Sequence, residues 1–128
     1  MSVPADLAAA RHISLTTYRK SGAPVATPVW LARDGDRLVV WTDPHSGKVK
    51  RLRHTSRVTV AVSDSKGRVP TSAPRHQADA QILNPVQSQT ARRTLARRYL
   101  LVRLTDLAVR LLPRTARPGV ALAITFPR

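Results

Sequence analysis

Apolar and polar residues alternate with a period of two over much of the chain, and turn-forming residues punctuate the alternation. Across residues 12–19, Ile13, Leu15 and Thr17 fall on one face and His12, Ser14, Thr16 and Tyr18 on the other, the pattern of a strand with one buried side. Lys20, Ser21, Gly22 and Ala23 supply a hairpin turn into a second strand at 25–31, and Asp34, Gly35 and Asp36 supply another before a third at 38–42. Val58, Val60 and Val62 alternate through 57–63, which ends in a turn at 65–67. Four strands joined mainly by tight turns predict an antiparallel meander that closes into a barrel to remove its edges. A short helix at 6–10 precedes them.

Beyond a Pro-rich loop at 69–74, a fifth strand is expected at 77–83 with Ala78, Ala80 and Ile82 on one side. Asn84 and Pro85 open a helical region in which Leu95, Tyr99 and Val102 form one stripe. Leu101, Leu104, Ala108 and Leu111 form a second on nearly the opposite side. One straight exposed helix would not bury both, so either a break at 99–102 or cover on two sides is expected, with Pro113 as the stop. Residues 119–127 read as the closing strand, Ala121, Ala123 and Thr125 alternating with Val120, Leu122, Ile124 and Phe126. The expected class is α+β, mainly β, in a single domain over 1–128 with no internal repeat.

Composition narrows the partners. With 128 residues, 42% of them hydrophobic, the chain has enough apolar material for one core. Its 22 basic residues, 18 of them Arg, stand against 7 acids, all Asp, for a net charge of +15, which points to anionic ligands or surfaces. The absence of cysteine excludes disulfides and thiol catalysis. No leader pattern and no apolar run of spanning length occurs, so a cytoplasmic protein is expected. His12, His45, His54 and His76 lack metal-ligand spacing, and neither a nucleophile elbow nor a glycine-rich phosphate loop is present. Any reaction would draw its reactive group from a cofactor or from the substrate.

The charge is concentrated at 42–57, where five Lys or Arg residues face a single acid, Asp43. A helix at 47–54 entered at Ser46 would place Ser46, Gly47 and Lys48 in its first turn, turn Val49 and Leu52 inward, and leave Lys50, Arg51 and Arg53 on the remaining surface. Taken alone, this run reads either as an anion site or as a solvated basic helix. Pro28 interrupts the second strand, and a residue without an N–H belongs at an edge, a bulge or a gap in the sheet. Trp30, on the same side, serves either as a wall for a planar ring or as a core residue.

The combination of LTTYRKSGAPVATPVW with SGKVKRLR, within residues 12–68, resembles the flavin- and deazaflavin-dependent oxidoreductases of the pyridoxamine-phosphate-oxidase-like superfamily. Within it, the chain is most similar to the class B, or PPOX-class, branch that uses coenzyme F420. The resemblance continues more weakly through 78–83, Arg97, Arg98 and Tyr99, and the final strand. It implies a split β-barrel, a homodimer with cofactor sites at the subunit interface, and hydride transfer between the cofactor and an organic substrate. By position, Thr27, Pro28, Val29 and Trp30 would border the ring. Thr42, Ser46, Gly47, Lys48, Val49, Lys50 and Arg51 would hold the phosphate and tail. FMN is the alternative cofactor, and a haem- or tetrapyrrole-related binding protein is the alternative within the same fold. The loop at 69–76 departs from the family pattern, which bears on the substrate.

Two other classes remain. The charge, with Arg92, Arg93, Arg97 and Arg98, is compatible with nucleic-acid binding, but aromatics are only 4% of the chain, too few for a base-stacking sheet. Residues 100–112 are apolar on one side with Arg103 and Arg110 on another, compatible with weak association with an anionic membrane surface.

Overall fold

The computed structural model describes residues 3–98 and 119–127. In chain order its elements are α1 (Ala5–Ala9), β1 (His12–Tyr18), β2 (Pro24–Asp34), β3 (Arg37–Thr42), α2 (Gly47–Leu52), β4 (Arg57–Val62), β5 (His76–Ile82), α3 (Pro85–Arg98) and β6 (Val120–Thr125). The six strands close an antiparallel barrel in the order β1, β2, β3, β6, β5, β4.

The expected four-strand meander is therefore a three-strand one. β4 pairs with the outer side of β1, whereas β3 pairs with β6. The chain passes from β3 to β4 through α2, which places a helix, rather than a tight turn, at one end of the barrel. α2 ends at Leu52, two residues earlier than expected, and Arg53 is its C-cap. β2 is longer than expected because its last residues, 31–34, form their own ladder with β3. The turn that follows uses Gly35 at φ 65°, backbone that glycine adopts without strain.

Alternation explains the core. Ile13, Leu15, Leu31, Val60, Leu122 and Ile124 are each 0% exposed and meet inside the barrel, where Leu7 of α1 and Leu52 of α2 join them. A second cluster lies outside the barrel, where Ala91 and Leu95 of α3, four residues apart, pack on Val39, Ala121 and Ala123. β3 and β6 are thus buried on both faces, so their sequences read as nearly continuous apolar runs. The predicted break at 99–102, and the rest of the second helical stripe, lie outside the described residues.

α3 is seated by polar contacts at its start. Gln87 N–H donates to Asn84 Oδ1 at 2.8 Å, and Asn84 N–H donates to Gln87 Oε1 at 3.1 Å, a reciprocal cap just ahead of Pro85. Ser88, 2% exposed, donates to the Leu83 carbonyl and accepts from Ala121 N–H at 3.0 Å, tying the helix to β6. On the outer face the Arg92 guanidinium lies 4.7 Å from the Trp41 ring centroid. Gly119 approaches that ring so closely that a Cβ there would stand 2.0 Å from a ring carbon.

Gly119→Ala should accordingly cost about 1–3 kcal/mol of stability through overpacking. Denaturant unfolding measures it, and the cost should largely disappear in a Trp41→Leu background if the clash is with that ring.

Candidate functional site

The end of the barrel beside α2 is built from β3 outward. Asp43 accepts from His45 N–H through its carboxylate at 2.7 Å and from Ser46 N–H through its backbone carbonyl, making the turn in which His45 is a polar turn residue. Ser46 then caps α2, its Oγ accepting from Val49 N–H at 3.4 Å and from the Thr42 hydroxyl at 3.3 Å. Burial of Val49 and Leu52 turns the opposite surface of this short helix, with Lys48, Lys50 and Arg51, away from the barrel interior. Lys50 is exposed, while Lys48 and Arg51 are partly buried.

Arg51 folds back across the helix start. Its Nε donates to Thr17 Oγ1 of β1 at 2.6 Å, and a Cβ on Gly47 would stand 2.6 Å from its Nη1. Burial, and secondarily the Arg51 charge, push the Lys48 ammonium below its ordinary range. Arg51 is lowered by burial and by the neighbouring Arg19 charge. The ion pairs among the described residues join Arg37 to Asp34, Arg68 to Asp64 and His76 to Asp6. None reaches Arg19, Lys48 or Arg51, so three cations gather here without a carboxylate. The two N–H groups at the start of so short a helix add little, since Ser46 already satisfies Val49; the side-chain cations carry the attraction. Such a cluster favours an anion with several oxygens, and a phosphate meets the Arg51 fork and the Lys48 point charge with the geometry each prefers.

The expected ring-binding segment is not one wall. Residues Pro24 to Trp30 pair with β1, but only residues 31–34 of β2 pair with β3. Among the described residues the first half of β2 therefore has no strand on its other side, which is where Pro28 sits, as a residue without an N–H should. Along this edge the side chains alternate. Pro28 and Trp30 face outward, whereas Val29 is buried in the barrel core and can meet a ligand only through its backbone. Trp30 is 36% exposed with its ring edge-on to His12 at 5.7 Å, so its reading as a core residue is set aside.

Thr27 faces inward, opposite Leu15 and diagonal to Thr17, and its hydroxyl is buried without a hydrogen-bond partner. An orphaned donor and acceptor on the same inner face as Thr17, the hydroxyl that Arg51 grips, suits an arriving polar group. Val49, like Val29, is a packing residue. Thr17 and Arg19 were missed at the sequence level: Thr17 looked like one more inward strand position, and its hydroxyl among aliphatic neighbours was the available signal. Tyr18 of β1 shares a 2.6 Å hydrogen bond with Thr59 and lies under the Arg57 guanidinium.

A family model described as pyridoxamine 5′-phosphate oxidase matches residues 4–114. No curated protein matches the chain. Among solved structures, a conserved hypothetical protein from Mycobacterium tuberculosis superposes with a TM-score of 0.70 at 19% identity, over 100% of this chain and 82% of that one. A FAD-binding protein from Mesorhizobium loti gives 0.61 at 18%, over 95% and 83%. HutZ, the heme storage protein of Vibrio cholerae, gives 0.66 at 9%, over 100% and 92%. At these identities the likeness establishes the fold, a split barrel.

Lys48→Met should leave the free protein as stable as the wild type or more so, because it removes a half-buried cation beside Arg51. The Lys48 value is lowered in the folded state, so at alkaline pH the unfolded chain binds more protons and stability rises with pH toward the ordinary lysine value of about 10.4. That rise should be smaller in the variant. Inorganic phosphate should raise the melting temperature of the wild type and do so less for Lys48→Met, as differential scanning calorimetry across pH would show.

Proposed function

The chain belongs to the pyridoxamine 5′-phosphate oxidase family, and on that premise we propose that it is an oxidoreductase that binds coenzyme F420 at the Lys48 and Arg51 end of the barrel. The observation that carries this reading is the group of three cations without a carboxylate, set beside the unpaired half of β2. The residues present suit a cofactor with a phosphodiester and an acidic tail. Lys48 and Arg51 neutralise the phosphate, and the Ser46 and Thr42 hydroxyls are near the same turn. Exposed Lys50 extends the positive surface along a departing tail. Bound there, the deazaflavin ring supplies hydride-transfer chemistry.

The rest falls to the chain. Pro28 and the backbone at Val29 form the edge against which a flat ring would rest, and the Thr27 hydroxyl offers it an otherwise unused hydrogen bond. A second copy of the chain, laid along the open half of β2, would exclude water from that edge and complete the site. This makes a homodimer the working form. The proposed partner is a small organic substrate, and the +15 charge predicts no more than salt-sensitive, non-specific adhesion to nucleic acid at low ionic strength. No helix among the described residues is long and apolar enough to cross a membrane.

Fluorescence or calorimetric titration with F420, its tail-less form and FMN tests the assignment. Lys48→Ala should weaken F420 binding by about 1–3 kcal/mol, the worth of a charge-assisted hydrogen bond, or roughly 5- to 150-fold. Arg51→Ala should harm the tailed cofactor more than the tail-less one. Tighter wild-type binding of FMN than of F420 would overturn the cofactor, and unchanged affinities in Lys48→Ala would overturn the site. Light scattering should give twice the monomer mass at micromolar concentration; a monomer that retains cofactor would sink the shared-edge arrangement.

A further inference from the structure

Two residues beside the cation cluster are of a kind that neither packing nor backbone geometry requires. Thr17 is 0% exposed on the inner face of β1, in line with Ile13 and Leu15, where a valine has the same shape and no hydroxyl to desolvate. Gly47 opens α2 without a positive φ, so its backbone is open to any residue, and glycine is among the weakest helix formers.

Both choices make sense through Arg51. Residues 47 and 51 are four apart on one helix face, and the Arg51 side chain runs back along that face toward the helix start. Its Nε donates to the Thr17 hydroxyl at 2.6 Å. Its tip then lies where a side chain at position 47 would stand: a Cβ there would be 2.6 Å from Nη1 and 3.3 Å from Nη2. With Nε taken by Thr17, the end-on pair Nη1 and Nη2 makes no hydrogen bond or ion pair among the described residues. That pair is the fork that meets two oxygens of one phosphate.

An unanchored surface arginine loses rotamer freedom when it grips an anion, and the loss subtracts from affinity. We propose that Thr17 and Gly47 are positioning residues for Arg51: the Thr17 hydroxyl fixes Nε, and the bare Gly47 lets the guanidinium lie across the helix start, so that a preset fork awaits a phosphate beside Lys48. Neither residue touches the anion. The proposal rests on the reading of this end of the barrel as a phosphate site, and adds how that site is ordered before its ligand arrives.

The test uses the full chain, labelled with ¹⁵N, and inorganic phosphate at constant ionic strength. In the free wild type the Arg51 Nε–Hε signal should show restricted motion, unlike that of exposed Arg53 on the same segment. Thr17→Val keeps the volume and should release the signal; Thr17→Ser keeps the hydroxyl and should hold it. Gly47→Ala should also free Arg51 while leaving the fold intact, because its new methyl meets the flexible end of a side chain rather than backbone. Thr17→Val and Gly47→Ala should each weaken phosphate binding about 2- to 10-fold, the cost of immobilising one long side chain, and Thr17→Ser should restore it. In an Arg51→Ala background neither should have a further effect.

Three results overturn the positioning role: an Arg51 signal in the wild type as mobile as that of Arg53, wild-type affinity in both Thr17→Val and Gly47→Ala, or an undiminished effect of these substitutions when Arg51 is already alanine. A wild type that binds no phosphate at tens of millimolar, or binds it equally well as Arg51→Ala, overturns the phosphate site itself and the positioning role with it.

Discussion

Burial of Val49 and Leu52 at one end of the barrel sets the geometry of the cation cluster, because a helix of six residues has little intrinsic stability and takes its orientation from what it packs on. Once those two side chains are inside, helical spacing places Lys48 and Arg51 toward the β1 side, and the Ser46 cap prevents the helix from starting elsewhere. The apolar contact is ordinary in size. Its importance is that the polar chemistry inherits its position from it, so a packing error at Leu52 would displace charges rather than merely loosen the core.

Like charges held together without a carboxylate partner among the described residues work against folding, and Lys48 is further penalised by partial loss of its hydration. The remainder of the molecule can carry that cost because the six strands close into a barrel, and because β3 and β6 are covered on both faces. Local conflict concentrated in one place, within a structure otherwise consistent from turn to core, is the usual mark of a site kept for binding.

Much of this was legible in the residues. A period of two identified all six strands to within a few positions, and it assigned Ile13 and Leu15 to one buried face. Ser46 and the Val49, Leu52 pair announced α2, and Pro28 announced an edge. What alternation does not encode is the partner. Nothing in 57–63 says that it pairs with β1 rather than β3, since either choice buries the same valines. The same period, applied strictly, would have divided Thr27 to Trp30 between two faces. Treating the four as one wall followed the family resemblance instead of the backbone. Arg19 and Thr17 were invisible for a related reason: Thr17 joins the site through a hydrogen bond spanning 34 residues of sequence, and Arg19 through its charge beside the similarly distant Arg51.

The alternation of β1 and β2 also has an evolutionary consequence. Thr16 and Thr17, like Ala26 and Thr27, are adjacent in sequence but open on opposite sides of a single layer of backbone. A peptide unit that tilts to accommodate a new side chain on one side moves its neighbour on the other, so the two faces cannot drift apart freely. Selection for a different ligand on either side would leave its trace on both, as paired substitutions at consecutive positions rather than at the every-second spacing by which strands ordinarily vary.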